Sequence, residues 1–177
     1  MNGLVLHGHT LECAALVQCI AAFTGNCDHM NFARKIMSYA LRHGYDAEHG
    51  GVYFFSRPDG TVVNSDKMWW VQAEALSAIS MAYRLSGDPF YYGWLQHLAD
   101  FIYTKQRDAR DGEWYSLLYA DGTVRDGRKG WASPENRPVP AKGGYHVAKC
   151  LYHAARNLAA ANGSPSTAKL TWADVAV

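Results

Sequence analysis

The sequence carries little charge, and neither sign dominates. Seventeen basic and sixteen acidic residues among 177 leave a net charge of +1. Proteins that bind nucleic acid through its phosphates carry a basic stripe, and proteins that bind a membrane surface carry a polybasic run. Because neither pattern is present, the sequence predicts no nucleic-acid partner and no membrane partner.

Cysteines and long hydrophobic runs are also scarce. The four cysteines form neither a C-x-x-C pair nor a zinc-ligand spacing, and a chain of this size does not need disulfides to fold. The apolar run at 13–23 is too short to span a bilayer and follows no basic segment. We therefore expect reduced thiols, no bound metal, no membrane span, no signal peptide and a cytoplasmic location.

Aromatic residues, in contrast, are abundant. Six Trp, eleven Tyr and six Phe make up 13% of the chain, and stacked aromatic rings suit sugars and other flat ligands. Hydrophobic residues make up 49%, enough for a sizeable core in one domain. We place this domain at 1–162 and expect 163–177, which carries Ser, Thr and Pro near its start, to be a loosely docked tail.

Two segments of the chain repeat at a constant spacing of 62 residues. Residues 46–53 (DAEHGGVY) are echoed at 108–115 (DARDGEWY), and each copy leads to a DGTV turn, at 59–62 and 121–124. An Asp-Gly turn between β-prone, aromatic-rich runs is typical of a β-hairpin. The repeat therefore predicts one structural unit that occurs twice.

Helical segments of two kinds lie between the hairpins. Three of them are apolar nearly all round, which is typical of buried helices; they are residues 11–23, 68–81 and 147–158. Two are apolar on one face, which is typical of outer helices; they cover 32–41, with Asp28 as a possible cap, and 90–102, which begins after Asp88-Pro89. This alternation, with no run of parallel-sheet strands, predicts an all-α fold that is part of an α/α toroid.

Each inner helix begins with polar or aromatic residues that do not belong in a dry core. These are His9 and Glu12 on the first, Trp69, Trp70, Gln72 and Glu74 on the second, and Tyr145 and His146 on the third. A toroid would gather them at one end of its lumen. Singly, a histidine at a helix start is usually a cap or surface residue, and a Trp-Trp pair is more often core. Glu74 resists such an explanation because unpaired buried carboxylates are rare.

Five motifs, in order, resemble those of the N-acylglucosamine 2-epimerase superfamily, which includes cellobiose 2-epimerase and aldose–ketose isomerases acting on mannose and sulfoquinovose. They are GHTLE at 8–12, DAEHGGVYF at 46–54, KMWWVQAEAL at 67–76, GEWY at 112–115 and KGGYH at 142–146. The resemblance covers about residues 8–158 and corresponds to the carboxyl-terminal half of a family member. It implies about half of an (α/α)6 barrel, in which short β-hairpins join helix pairs, and chemistry that needs no metal or redox cofactor.

The resemblance also implies roles for individual residues. Catalysis is assigned to His9 and His146 as the acid/base pair, with Glu12 supporting or polarising. The resemblance further implies that Trp69 or Trp70 contacts the sugar. From their places at the starts of the inner helices, we expect four residues to bind the substrate: Trp69, Trp70, Glu74 and Tyr145. The chain departs from the family at 148–149, where it has Ala-Lys in place of Pro-Arg, and at Ala141, where several members have Trp. Three lysines, Lys67, Lys142 and Lys149, could meet an anionic group, but we expect them to be solvated because most lysines are.

The chemistry follows from the residue types. Epimerisation or isomerisation at C2 of a sugar removes a proton next to the open-chain C1 carbonyl, and an imidazole can take and return that proton at pH 7. Two imidazoles on opposite faces of C2 would invert the centre, whereas one that moves the proton from C2 to C1 would isomerise the sugar. We expect a sugar 2-epimerase or aldose–ketose isomerase, or the catalytic half of one, and the sequence leaves both reactions open.

Two other functions stay open at this point. The first is a non-catalytic carbohydrate-binding or regulatory remnant of the family, an alternative motivated by the family's amino-terminal Arg and further His, which have no counterpart here. The second is a glycoside hydrolase on the same toroid, with Glu12 and Glu74 as its carboxylate pair. The two carboxyl groups of such enzymes are roughly 6.5–9.5 Å apart when the enzyme inverts and 5–5.5 Å apart when it retains configuration.

A half-ring also predicts an assembly. Inner helices that are apolar on all sides need a neighbour on each flank, and exposed apolar faces of that size mark an interface. We expect a homodimer, in which two half-rings close one barrel, or a partner that supplies the missing half.

Overall fold

Helices dominate the described part of the chain. The computed structural model describes residues 3–110, 112–125 and 144–163. Its α-helices are α1 (His7–Thr24), α2 (Cys27–Gly44), α3 (Trp69–Ser86), α4 (Pro89–Phe101) and α5 (Tyr145–Gly163). A π-helical turn, Ile102–Gln106, continues α4. The predicted all-α fold is confirmed.

Short antiparallel strands connect the helix pairs. One sheet has the order β1 (Val5–Leu6), β2 (Phe55–Ser56), β3 (Val62–Asn64), and a second pairs β4 (Lys67–Met68) with β5 (Leu117–Leu118). Both Asp-Gly turns are present, with Gly60 at φ +91° and Gly122 at φ +83°, a region that favours glycine. The predicted hairpins therefore stand at both copies of the repeat.

The α3 helix lies at the centre of the helical layer. It packs against α1 on one side and α5 on the other, while α2 covers α1 and α4 covers α3 from outside. Every residue of α3 from Val71 to Ala82 is buried, whereas α2 and α4 bury one face each. The predicted order of inner and outer helices is therefore correct.

The two flanking inner helices each keep an apolar side exposed. On α1, Leu16 and Ile20 are 59% and 48% exposed, and on α5, Leu151 and Tyr152 are 46% and 53% exposed. Leu16 and Ile20 are four residues apart and lie on the same side of α1, and Leu151 and Tyr152 are consecutive on α5. The described residues therefore form a partial ring with two open apolar sides.

The helix starts match the sequence signals in one case and correct them in the other. Asp88 caps α4, since its carboxylate accepts a hydrogen bond from the backbone N–H of Phe90 at 2.9 Å. The cap of α2 is Asn26 rather than the expected Asp28: the Asn26 side chain accepts from the N–H groups of Asp28 and His29. Both residues are good caps, and the chain enters the helix at the earlier one.

A buried lysine connects the two copies of the repeat, so the expectation that Lys67 is solvated is wrong. Its Nζ donates to Asp46 Oδ2 at 2.6 Å and to the carbonyls of Gly50 and Ala120 at 2.5 and 2.7 Å. Burial lowers the pKa of Lys67, although the hydrogen bond and charge of Asp46 oppose this. Three oxygen acceptors replace the water that the ammonium group loses.

Three other expectations concern the carboxyl-terminal tail, a membrane span and the cysteines. Residues 164–177 of the expected tail lie outside the described residues, and Gly163 ends α5. None of the helices in the described ranges is both long and apolar enough to cross a membrane. The four cysteines form no disulfide with one another.

Candidate functional site

The first turns of α1, α3 and α5 meet around the indole of Trp70. The ring centroid of His9 lies 5.1 Å from that of Trp70, and the ring centroid of His146 lies 5.7 Å from it. Together with Trp69, these side chains line a cavity of about 200 Å³. Because α1 and α5 flank α3, the two imidazoles approach the indole from different helices.

The approach of α1 to Trp70 depends on the residue before His9. Gly8 is buried and lies so close to the Trp70 ring that a Cβ at this position would overlap it. Any larger residue would push α1, and with it His9, away from the indole. This is a structural reason for glycine to precede histidine in the first motif.

Glu74 is directed to His146 rather than into the cavity. The carboxylate is fully buried, and its Oε1 lies 2.6 Å from His146 Nδ1. Lys149 Nζ donates to Oε1 at 2.8 Å and to Oε2 at 3.1 Å. The buried carboxylate is thus doubly paired, and the expectation that Lys149 is solvated is wrong.

The remaining predicted residues lie around this centre in different ways. Tyr145 is 57% exposed, and its ring stands edge-on to His146 at 5.0 Å. Trp69 is 7% exposed, so it is mainly a core residue that reaches the cavity wall. Glu12 is half-buried one turn after His9 and makes no hydrogen bond or ion pair with another described residue. Gln72 is structural, because its amide exchanges two hydrogen bonds with the backbone of Val52, at 2.7 and 2.8 Å.

Sequence reasoning missed Lys149 as a member of the site. A signal was present, because Lys149 follows His146 by three residues on a helix and therefore lies on the same side. The partner that buries it, Glu74, is on another helix and cannot be inferred from local spacing. Lys142, also expected to be solvated, lies outside the described residues.

A second cavity stands apart from this site. A cavity of about 610 Å³ lies between the loop at 45–50 and α4; Trp94, His97 and Asp100 are among its lining residues. It is larger than the cavity at Trp70, but it shares no residue with it. Within the described ranges, no group of three or more His, Cys, Asp or Glu is placed to hold a metal ion.

The architecture is that of an (α/α)6 barrel, of which the chain forms a part. D-mannose isomerase superimposes with a TM-score of 0.75 and 27% identity, over 86% of this chain and 37% of that one. Cellobiose 2-epimerase from Spirochaeta thermophila superimposes with a TM-score of 0.77 at 20% identity, over 88% of this chain and 39% of the other. A family 76 glycoside hydrolase has the same fold, with a TM-score of 0.62 at 14% identity.

The sequence model of the N-acylglucosamine 2-epimerase (GlcNAc 2-epimerase) family matches residues 4–150. The chain belongs to this family. It is 32% identical to the N-acylglucosamine 2-epimerase of Mus musculus over 149 residues, which are 81% of this chain and 34% of that protein. It is 28% identical to the D-mannose isomerase of Marinomonas mediterranea over 151 residues, 85% of this chain and 36% of the relative. The chain thus spans about a third of the length of these curated relatives.

Proposed function

We propose that the chain supplies the acid/base imidazoles of a sugar 2-epimerase or aldose–ketose isomerase, which acts on a small open-chain sugar. The observation that carries the proposal is the convergence of His9 and His146 on Trp70 in one cavity. Family membership supports it, because similar proteins are named N-acylglucosamine 2-epimerase and D-mannose isomerase.

In this proposal His146 acts as a base through its Nε2. A neutral imidazole that donates its Nδ1–H to Glu74 leaves the Nε2 lone pair available. The base removes the proton from C2, and the C2–H electrons form a C1–C2 double bond as the C1 carbonyl becomes an enediolate oxygen. A proton delivered to C2 from the other face by His9 re-forms the C1 carbonyl and gives the epimer. A proton delivered to C1, with transfer of the O2–H proton to O1 so that C2 becomes the carbonyl carbon, gives the ketose.

The other residues of the site have supporting roles in the proposal. Trp70 covers the apolar face of the sugar, as indoles do in many sugar sites, and Trp69 and Tyr145 border the same space. Glu12, one turn from His9, polarises a hydroxyl or fixes a tautomer. Glu74 acts through His146. The proton transfers need no electron acceptor, so the proposal includes no redox cofactor and no metal.

We propose that a second copy of the chain, or a partner that supplies the rest of a barrel, covers the open apolar sides. The cavity of about 200 Å³ is smaller than the ~300 Å³ at the low end for ligand pockets. All three inner helices begin at the same end, around Trp70. A two-fold axis that coincides with the central axis of the ring would therefore place α5 of one copy beside α1 of the other. Such a pair is an isologous dimer.

Deuterium exchange tests the proposed chemistry. The chain is incubated in heavy water with mannose, N-acetylmannosamine or cellobiose, and deuterium at C2 is followed by NMR. We expect exchange in the wild type and its loss in both His9→Ala and His146→Ala, each with an unchanged circular dichroism spectrum. His29→Ala, which truncates an exposed histidine on α2, is the matched control and retains exchange. Exchange that survives both site variants would contradict the assignment.

Light scattering tests the assembly. The chain has a mass of 19.6 kDa, and we expect twice this mass in dilute solution. Ile20→Glu places a charge on the open side of α1 and returns the mass to that of one chain. Phe32→Glu is the control, because Phe32 is equally exposed, at 52%, on the outer helix α2. A monomeric wild type would argue against the dimer.

A non-catalytic carbohydrate-binding or regulatory remnant is the second candidate function. The observation that favours it is the Ala148-Lys149 pair beside His146, which departs from the Pro-Arg of many family members. Sugar binding to the aromatic cavity, without exchange at C2 for any sugar tested, would support this alternative.

A cytoplasmic location stays a proposal from composition, to be checked by cell fractionation.

The hydrolase alternative receives less support from the site. It requires two carboxylates that face the scissile bond, and Glu74 is fully buried against His146 and Lys149. The hydrolases with this fold are only 14% identical to the chain, so they share its architecture and carry no argument about its reaction.

A further inference from the structure

A single buried carboxylate serves two basic side chains on α5. Glu74 Oε1 contacts both His146 Nδ1, at 2.6 Å, and Lys149 Nζ, at 2.8 Å. Glu74 is fully buried, and the Lys149 side chain is 12% exposed. Both nitrogens contact the same oxygen atom. The Glu74 carboxylate therefore bridges the Lys149 ammonium group and the His146 imidazole.

The balance of charge in this cluster affects the protonation of the imidazole. A carboxylate beside an imidazole favours the imidazolium form, and a cation nearby opposes it. With Lys149 charged, the Glu74–Lys149 pair has no net charge, and a proton on His146 would add an unbalanced positive charge next to a buried group. The lysine therefore favours neutral His146.

Lys149 is itself a cation at neutral pH. Burial acts to lower its pKa, but the hydrogen bond and charge of Glu74 outweigh burial and leave the pKa of Lys149 above its ordinary value. The ammonium group also lies 4.8 Å from the ring centroid of Tyr145, a contact that favours the charged form.

The other titratable groups near the cluster do not replace this charge. On α5, burial raises the pKa of the Cys150 thiol well above its usual range, and burial with the charge of Lys149 lowers the pKa of His153. Both groups are therefore neutral at neutral pH. From α1, His9 approaches the same indole as His146, and Glu12 lies one turn further along.

We propose that Lys149 is a positioning residue, which holds Glu74 as the acceptor for His146 Nδ1–H and keeps His146 a neutral base with Nε2 free. Lys149 acts through Glu74 and does not touch the sugar. The role of that base rests on the proposed function, but the charge and tautomer of His146 can be measured without any substrate.

Nitrogen-15 NMR of the histidine rings tests the proposal on the full chain. In the wild type at neutral pH, we expect His146 to be neutral and protonated at Nδ1. In Lys149→Met, the ring should take up its second proton at a pH about one unit higher or more, because the opposing cation is gone. Lys149→Arg keeps the charge and should restore wild-type behaviour. The His9 signals in the same spectra are the internal reference.

Two results would overturn the proposal. One is a folded Lys149→Met in which His146 keeps its wild-type charge and tautomer across the pH range. If Lys149→Met does not fold, Lys149→Arg and Glu74→Gln decide: Arg must preserve the titration, and Gln must move it to lower pH. A failure of either expectation rejects the role.

Deuterium exchange separates this inference from the proposed function. One outcome is that Lys149→Met shifts the pH at which His146 takes up its second proton, while the wild type shows no exchange with any sugar. This outcome rejects the proposed activity and leaves the positioning role intact. Exchange in the wild type, with a His146 titration that Lys149→Met does not change, rejects the positioning role and leaves the activity intact.

Discussion

The two copies of the repeat fold their loops with the same backbone hydrogen bonds. In the first copy the N–H of Gly50 donates to the carbonyl of Asp46 at 3.0 Å, and in the second the N–H of Gly112 donates to that of Asp108 at 2.8 Å. Both glycines have positive φ, +78° and +80°. The loop is therefore built by the aspartate and the glycine, whatever residues stand between them.

The correspondence extends to the starts of two inner helices. The N–H of His7 donates to the carbonyl of Phe54 at 3.2 Å, and 62 residues later the N–H of Trp69 donates to that of Ser116, also at 3.2 Å. Both rings are buried, and their nitrogens have no hydrogen-bond partner in the part of the chain that the structure describes. Packing, rather than polar contact, holds a ring at this position.

The ion pairs of the two buried aspartates differ in the exposure of the cation. Asp46 pairs with Lys67, which is fully buried, whereas Asp108 pairs with Arg110, whose side chain is 80% exposed. Aspartate and glycine thus specify the loop backbone, while the exposure of the paired cation depends on the local surroundings. Equivalent changes in the two copies should therefore have unequal effects.

The largest difference is expected for the two cations. Lys67→Met leaves the Asp46 carboxylate buried without its cation, and we expect the free energy of unfolding to fall by about 3–5 kcal/mol. Arg110→Met removes a largely exposed cation, whose charge water already screens, and should lower stability less. Urea unfolding followed by circular dichroism measures both. Equal losses in the two variants would refute the distinction between the copies.

The second difference concerns pH and separates His7 from Trp69. Burial, with a smaller contribution from His43, lowers the pKa of His7 to about 4 from an ordinary value of 6.5. Between these two values the unfolded chain binds a proton that the folded chain does not. His7 therefore contributes stability above pH 6.5, and this contribution is lost as the pH falls towards 4, by up to about 3 kcal/mol.

A variant isolates this contribution. His7→Phe keeps a ring at the position that Trp69 occupies in the other copy but removes the titration. The slope of unfolding free energy against pH between about 6.5 and 4 should be smaller than in the wild type. His29→Ala, at an exposed histidine, should leave the slope unchanged. A His7→Phe slope equal to that of the wild type would contradict the assignment.

Local sequence signals predicted most of the fold. Apolar periodicity separated the inner from the outer helices, and Asp88-Pro89 marked the start of α4 because a cap and a favourable first residue coincide. The cap of α2 was misplaced because Asn26 and Asp28 are both suitable and only the path of the chain decides between them. Propensity describes what a residue can do, and tertiary structure selects which of two candidates does it.

The candidate site was predictable to the extent that its residues share helix starts. Convergence of His9, Trp70 and His146 follows from the toroid, because the inner helices begin at one end. The partners of Lys67 and Lys149 were not predictable, since their acceptors lie on other elements and a lysine is usually solvated. The catalytic roles of His9 and His146 and the binding role of Trp70 stay predictions.

The smallest difference between the copies is expected at the two loop glycines. An alanine at either Gly50 or Gly112 must adopt positive φ, which costs roughly 1–2 kcal/mol. At Gly50 the new Cβ would also lie 3.2 Å from a ring carbon of Phe101, whereas at Gly112 it would meet no described atom within 4 Å. Gly50→Ala should therefore be the less stable variant, by about 1 kcal/mol, in paired urea titrations. A smaller loss at Gly50 would mean that the Phe101 ring moves freely to accommodate the methyl group.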